Sequence, residues 1–482
     1  MVPFFGKRGG DWPLLSIVMI ITVIGLRFID AGSAILAYLL LGLYALMGRR
    51  QIIESLSVSW LITMVNPGIF PEIGYGPRYI VLVLSAVSAL WYSGVGRGHS
   101  VRIGKKTLVT IVLGVFLVMH SILISRVPDV SVLKSMTFVL VFVTLISVWS
   151  GMRREERADA TSFLFGLMIL VLVVSLPTVM SEVGYFKNGH GFQGILDHPQ
   201  AFGVFVSILA VWVAVDFFIA KRFSIWKVGI LLLSLVSIFL SEARTAGLGM
   251  LLGLVAAFTV GAISRPRLGG KALSDLLKGR VLGAIVAVSA CVIIMGTMIG
   301  DLLDSYLSKR NDVDGGLADV YEASRGGLIE DMLQNIEDHP LFGIGFGVSS
   351  VPDDMEVVRD PVTGFPLSAA VEKGVMPLAV VEELGLVGAV VVYAWILWLL
   401  WGAVKKGLKP AAIFLTVLFL NLGEMTFFSP GGMGLFHMIV ATWAISPVLV
   451  RRSRRRTRSV VVGDHGESCL HKGNKTHGNA GL

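Results

Sequence analysis

Long apolar blocks, each separated from the next by a short polar stretch, constrain the fold of this chain more than any other feature. A bilayer core about 30 Å thick needs about 20 apolar residues per helix, with a range of about 17 to 25. Blocks of this length recur along nearly the whole sequence. Charged residues make up only 15% of the chain, against about 25% in soluble domains. The sequence therefore predicts an all-α, polytopic transmembrane helix bundle.

On this scale the blocks mark about fourteen candidate spans, or twelve if the short third and ninth blocks are half-helices. They lie near 13–29, 31–48, 52–66, 78–94, 107–124, 133–150, 161–179, 200–219, 225–240, 245–262, 281–300, 384–404, 410–427 and 433–450. The first block lacks a small-residue cleavage site and is predicted to be a retained span.

The distribution of lysine and arginine predicts the orientation of the bundle. With a cytoplasmic N-terminus, 28 of these residues fall in inner segments and 11 in outer segments. This asymmetry fits the positive-inside rule and predicts that both termini are cytoplasmic. Because the basic residues cluster between spans, we expect a lipid bilayer rather than nucleic acid as the partner of the net charge of +8.

The predicted organisation has four parts. Residues 1–300 hold transmembrane helices 1 to 11, 301–383 form one large extracytoplasmic loop containing short helices, 384–450 hold helices 12 to 14, and 451–482 form a basic and then disordered cytoplasmic tail. The loop is the only long polar interruption, so we expect the chemistry of the protein there. The two cysteines, Cys291 and Cys469, suggest neither a bridge nor a metal site.

Three arginines are candidates for binding an anion. Arg244 lies where the ninth span ends and the tenth begins, among small residues that leave room for a ligand, although it could equally be an interfacial anchor paired with Glu242. Arg325 precedes a helix predicted at about 326–337 with Ser324 as its N-cap, and a guanidinium at a helix N-terminus suits phosphate. A solvated surface arginine is the alternative, and Arg310 is the weakest of the three.

The outer loop at 181–200 is dense in polar side chains and could bind a sugar or a phosphate, or simply be a turn-rich connector. These side chains are Lys187, His190, Gln193, Asp197, His198 and Gln200. His190 and His198 do not have metal-ligand spacing, so no metal is assigned.

The stretch before the twelfth predicted span offers candidates for proton transfer. Glu372 could act as a base if burial raised its pKa, and Lys373 beside it could contact a glycan. Glu382 and Glu383, at the other end of this stretch, could equally cap a helix. His339 is a second catalytic candidate, although Pro340 and the glycines after it favour a structural role.

Several motifs together resemble the O-antigen ligase and O-antigen polymerase superfamily of bacterial membrane glycosyltransferases. They are SEART at the end of a span, SRGGL in the large loop, EDHPLFGIGFG, and EELGLVGA at the start of a span. The similarity covers roughly 190–445, including GFQGILDHPQAFG and NLGEMTFFSPGGMG.

The resemblance implies an inner-membrane enzyme that moves a glycan from an undecaprenyl-pyrophosphate donor to a sugar hydroxyl outside the cytoplasm. It implies no cofactor, no metal and no nucleotide sugar, and a chain-length regulator or flippase as a further partner. By the resemblance, Arg244 and Arg325 match arginines thought to hold the pyrophosphate. Ligases carry a histidine followed by Asn, Ser or Gln, and nine residues separate this pair from a GxxG[TA] motif. The pair at that distance before Gly385 is Gly374 and Val375, so the ligase histidine is absent here. This departure favours a polymerase over a ligase, with Glu372 or another group as the base.

Two other classes of function stay open. A transporter of a polar solute would carry ionisable residues at mid-membrane, whereas most predicted spans lack charge at their centres. A non-catalytic assembly factor would explain the absent histidine.

Overall fold

The computed structural model describes residues 14–71, 74, 76–94, 104–187, 189–219, 224–264, 317–369, 371 and 373–447, without the side chains at 262, 264 and 317–326. Four features predicted from the sequence lie outside this description, namely the span at 281–300, Arg310, Glu372 and the tail at 451–482. For Arg325 only the backbone is described.

Within the described residues the chain forms fourteen α-helices. They are α1 (Leu14–Ile29), α2 (Ala31–Ala45), α3 (Arg49–Thr63), α4 (Arg78–Tyr92), α5 (Lys105–Ile124), α6 (Pro128–Gly151), α7 (Arg154–Ser175), α8 (Pro199–Ile219), α9 (Ile225–Leu240), α10 (Arg244–Ser264), α11 (Leu317–Asp338), α12 (Met376–Lys406), α13 (Leu408–Leu420) and α14 (Met433–Ile445). Short 3-10 helices span Leu176–Met180, Glu182–Tyr185 and Pro352–Asp354. The predicted all-α class is confirmed.

Six of the described helices are long and apolar enough to cross a membrane, namely α5, α6, α7 with the 3-10 turn that follows it, α8, α10 and α12. Six shorter apolar helices accompany them, namely α1, α2, α4, α9, α13 and α14. The protein is therefore a multi-pass membrane protein.

Helix α3 forms part of the interior of the bundle. Its residues 52–62 are buried without interruption, and a helix enclosed on all sides belongs to a core. Its buried Glu54 accepts a hydrogen bond from the Tyr44 hydroxyl at 2.5 Å and pairs with Arg50 at 2.5 Å. At 15 residues, or roughly 22 Å, this helix is shorter than a bilayer core is thick, as expected for the short third block.

Helix α13 ends at Leu420, so the predicted span at 410–427 is too long by about two turns. The reason is the Asn421 side chain, whose Oδ1 accepts hydrogen bonds from the backbone N–H groups of Thr426 and Phe427, both at 2.8 Å. Asparagine competes with the helical hydrogen bonds in this way and favours a turn. The residues released from the helix, 421–432, turn back towards the interior.

The segment between α11 and α12 holds an antiparallel pair of strands, β1 (Val357–Arg359) and β2 (Pro366–Ala369), in addition to the predicted short helices. The Tyr79 hydroxyl of α4 donates to the carbonyl oxygen of Leu367 at 2.8 Å, and Arg359 pairs with Asp129 of α6 at 2.5 Å. These contacts hold the hairpin over the ends of α4 and α6 that are predicted to face outward.

One predicted helix start is corrected by the structure. Helix α11 begins at Leu317 rather than near 326, because the residues before Ser324 include alanine and leucine and no proline, so nothing stops the helix there. Arg325 therefore lies inside the helix and not at its N-terminus. Helix α12 begins at Met376, with Pro377 in its first turn, and its backbone is interrupted at Gly385, next to the predicted start of the span at 384.

Gly385 interrupts α12 with a left-handed backbone at φ 63°. The interruption removes the helical partners of the carbonyl groups of Glu382 and Glu383. These carbonyl groups instead accept hydrogen bonds from the N–H groups of Ile344 and Gly345, both at 3.0 Å, while the Leu386 N–H donates to Pro340 at 2.9 Å. The kink thus pins the glycine-rich stretch of the outer loop onto α12.

The substitution Gly385→Ala is expected to destabilise the protein by about 2–5 kcal/mol. A methyl group at this position would lie 2.2 Å from the backbone of Leu341, so overpacking of about 1–3 kcal/mol adds to the strain of a positive φ. Thermal unfolding of the purified protein in detergent measures the loss.

Gly364→Ala is the matched control for that substitution. Gly364 also has a positive φ, of 72°, but no atom lies within 4 Å of an added methyl group. It should lose only about 1–2 kcal/mol. Equal losses for the two variants would contradict the proposed role of the close contact at the kink.

Candidate active site

A cavity of about 420 Å³ lies among the helix ends that the charge pattern predicts to face outward, and we call it the outer cavity. Its wall is formed by residues of α1, α2, α3, α4, α6 and α12, by Asp197, by a few described residues of the segment that precedes α12, and by the turn after α13. The charged residues on this wall are Arg27, Arg78, Lys134, Asp197 and Glu383. Its size falls within the range of small-molecule sites, about 300 to 1,000 Å³.

Behind the wall, Lys373 is buried between two carboxylates. Its Nζ lies 2.7 Å from Glu382 Oε2 and 3.2 Å from Glu383 Oε1. The other oxygens of the two carboxylates accept hydrogen bonds from Asn335 Nδ2 and from the Gly347 N–H, both at 2.8 Å. Glu383 therefore reaches the cavity with both oxygens already engaged, which makes it a poor acceptor for a substrate proton. Lys373, predicted to contact a glycan, is placed in an internal ion cluster.

The charges on the wall leave an excess of positive charge. Lys134 donates to the carbonyl oxygen of Gly347 at 2.7 Å and interacts electrostatically with Glu383. Together with Lys373 it balances the two buried carboxylates. Counted over the described wall residues, the three cations Arg27, Arg78 and Lys134 exceed the two carboxylates Asp197 and Glu383. This balance suits an anionic ligand.

Arg27 and Asp197 are brought to the wall by the C-terminal end of α3. Arg27 is 4% exposed and donates from Nε to the Ile62 carbonyl oxygen at 3.2 Å, while the Asp197 N–H donates to the Met64 carbonyl oxygen at 2.9 Å. Arg27 Nη1 and Asp197 Oδ1 are both buried, and neither has a hydrogen-bond partner among the described residues. Both residues line the outer cavity, so a ligand or a water molecule there could pair with these two atoms.

Burial also changes the acidity of Asp197. It raises the pKa of this carboxyl group to about 6. A carboxylate with a pKa just below neutrality is ionised at pH 7 yet basic enough to take a proton, which is what a general base requires. Asp197 was grouped with its polar neighbours in the sequence, but nothing in the sequence alone distinguished it from them.

The loop that carries Asp197 is held by residues that the sequence suggested as glycan contacts. Gln193 is fully buried, and its amide accepts from the Lys187 N–H at 2.7 Å and donates to the Leu196 carbonyl oxygen at 3.1 Å. His198 Nδ1 accepts from the Gln200 N–H at 3.1 Å where α8 begins. His190 is exposed. The contacts of Gln193 and His198 fix the path of the backbone around Asp197.

Arg244 is the first residue of α10 and is half-buried. The turn before it contains Glu242, whose φ of 52° is rare for a residue with a side chain. The Phe192 N–H donates to the Leu240 carbonyl oxygen at 2.8 Å, so this turn packs against the loop that carries Asp197. Arg244 is not one of the described residues that line the outer cavity.

His339 follows α11 and is exposed. Its Nε2 lies 2.8 Å from Nη2 of Arg126, and a guanidinium can only donate, so this nitrogen accepts. The Arg126 N–H donates to the Ile344 carbonyl oxygen at 3.2 Å. These contacts tie the outer segment to the connection between α5 and α6 and favour a structural role for the histidine.

Part of the chain matches a known protein family. Residues 229–368 match a family model described as O-antigen ligase, a range that holds Arg244, Arg325 and His339. A search among curated proteins gave no match. The match supports a membrane glycosyltransferase that acts on lipid-linked glycans. Residues 229–368 of the chain are therefore similar to the O-antigen ligase family.

Proposed function

We propose that this protein is a polysaccharide polymerase that moves a glycan from an undecaprenyl-pyrophosphate donor to a sugar hydroxyl outside the cytoplasm. The observation that carries the proposal is a pair of buried atoms on the wall of the outer cavity, Arg27 Nη1 and Asp197 Oδ1, for which no described residue is a hydrogen-bond partner. The Arg27 guanidinium can donate to a phosphate or sugar oxygen. The Asp197 carboxylate can accept a hydroxyl proton.

In the proposed reaction Asp197 takes the proton of the acceptor hydroxyl. The oxygen of that hydroxyl attacks the anomeric carbon of the donor glycan. The bond between that carbon and the pyrophosphate oxygen breaks, and the lipid pyrophosphate leaves with the electron pair. Arg244 and Arg325 hold the leaving group through charge-assisted hydrogen bonds, as the family resemblance implies. Guanidinium groups aimed at the developing charge stabilise the transition state more than the ground state.

The absence of the ligase histidine is consistent with a base from another part of the chain. The two positions reached by the ligase spacing are Gly374 and Val375, and Val375 is the residue that caps α12. Gly374 follows the buried Lys373 directly, so this stretch is committed to the ion cluster. Asp197 comes from an earlier part of the chain, the loop before α8.

An O-antigen ligase is the second candidate, because the matched family model carries that description. The two activities differ in the acceptor, which is a second lipid-linked glycan for a polymerase and a lipid-anchored core sugar for a ligase.

The test offers the purified full-length protein in nanodiscs a radiolabelled lipid-linked repeat unit, with or without a lipid A-core acceptor. We expect a ladder of products without the core acceptor. Transfer of label only to the core would reassign the protein to the ligases. If the amount of lipid-linked repeat unit stayed unchanged in both reactions, the transferase proposal would be wrong.

A further inference from the structure

A second cavity, of about 780 Å³, lies among the helix ends predicted to face the cytoplasm, and we call it the inner cavity. Five cationic side chains line it, Lys105 and Lys106 at the start of α5, Arg157 in α7, and Lys405 and Lys406 at the end of α12. None of the described residues on its wall is a carboxylate. Nothing in the proposed reaction uses this cavity.

Three of the cations bind backbone carbonyl groups at helix ends. Lys106 and Lys406 donate from Nζ to the carbonyl oxygens of Ile445 and Ser446. Arg157 donates to the carbonyl oxygen of Trp443 at 2.6 Å and to that of Trp149 at 3.0 Å. Each helix C-terminus carries only about half a negative charge. These carbonyl groups at the ends of α6 and α14 therefore offset only part of the positive charge of Lys106, Arg157 and Lys406.

The rest of the wall is apolar and aromatic. Trp398, Trp401 and Trp443 line the cavity, together with Ile146 and Pro410. Trp401 is 52% exposed, and the Lys405 ammonium lies 5.0 Å from the centre of its ring. Tryptophan and lysine in this combination are typical of the level at which lipid headgroups meet the hydrocarbon core. A small soluble anion would leave this apolar surface uncovered.

We propose that the inner cavity binds an anionic phospholipid of the cytoplasmic leaflet. The lipid phosphate would lie between the lysines at the start of α5 and those at the end of α12, and an acyl chain would cover the tryptophans. Basic pockets between transmembrane helices on the cytoplasmic side bind acidic lipid headgroups in this way. The bound lipid would tie α5, α12 and α14 together at that end of the bundle.

The test measures thermal unfolding of the full-length protein in a neutral detergent while dioleoyl-phosphatidylglycerol, dioleoyl-phosphatidylcholine or inorganic phosphate is added. Phosphatidylglycerol is expected to raise the Tm by about 2–5 °C and the other two to leave it unchanged. The double variant Lys105→Gln with Lys405→Gln should weaken the apparent affinity for phosphatidylglycerol about tenfold or more.

The matched control is Arg153→Gln with Arg154→Gln, which removes two exposed positive charges from the same end of the bundle outside the cavity wall. It should keep the affinity of the unaltered protein. Equal stabilisation by the two lipids, stabilisation by inorganic phosphate alone, or equal losses in the two double variants would each overturn the proposal. Since no catalytic activity is measured, the result is independent of the proposed function.

Discussion

Replacing Arg244 or Arg325 with alanine is expected to abolish polymer formation while the protein still inserts into the membrane. If the two guanidinium groups hold the leaving pyrophosphate, each is needed most when the negative charge develops in the transition state. Removing one donor of this kind costs about 10²- to 10³-fold in rate. The measurement is turnover of the lipid-linked repeat unit in nanodiscs, with the amount of inserted protein determined in parallel.

Arg359→Ala is the matched control for these two variants. Arg359 lies in the same outer segment as Arg325 and also carries a positive charge, but its guanidinium already pairs with the Asp129 carboxylate at 2.5 Å. It should retain turnover close to that of the unaltered protein. Normal polymer length in both Arg244→Ala and Arg325→Ala would rule out their assignment to the pyrophosphate.

The apolar blocks were sufficient to predict most of the helices, because a helix within a membrane must be long and apolar. The prediction failed where polar residues are buried in the bundle. The pair Glu382 and Glu383 was taken as a polar boundary before the twelfth span, whereas the structure buries both against Lys373 inside α12. An apolar count cannot detect a partner that neutralises a charge from outside the helix.

The residues of the outer cavity were harder to predict for the same reason. In the sequence, Arg27 is only one of the 11 basic residues assigned to outer segments. Its significance depends on the end of α3, which lies 35 residues away at Ile62 and buries the guanidinium. Asp197 was visible as one polar residue among several, and only its burial separates it from the others. The spacing of residues along the sequence shows neither the contact between Arg27 and Ile62 nor the burial of Asp197.

Asp197→Asn is expected to lower the turnover number by about 10² to 10⁴, the range for loss of a general base. The unaltered enzyme should lose activity as the pH falls through about 6, because burial raises the pKa of this carboxyl group to about 6 and the protonated acid cannot accept the acceptor proton. The variant should lack this acidic limb. Turnover against pH for both proteins checks the assignment.

The same substitution should make the protein more stable near neutral pH, which separates lost chemistry from misfolding. An aspartate in an unfolded chain has a pKa of about 3.9, so the folded state holds the proton more tightly and loses stability as the pH rises from about 4 to about 6. A folded-state pKa of about 6 corresponds to a cost of about 3 kcal/mol above that range, which asparagine does not incur. Glu182→Gln, an exposed carboxylate of the same loop, should change neither turnover nor Tm. Full activity in Asp197→Asn, with the acidic limb intact, would show that the base lies elsewhere.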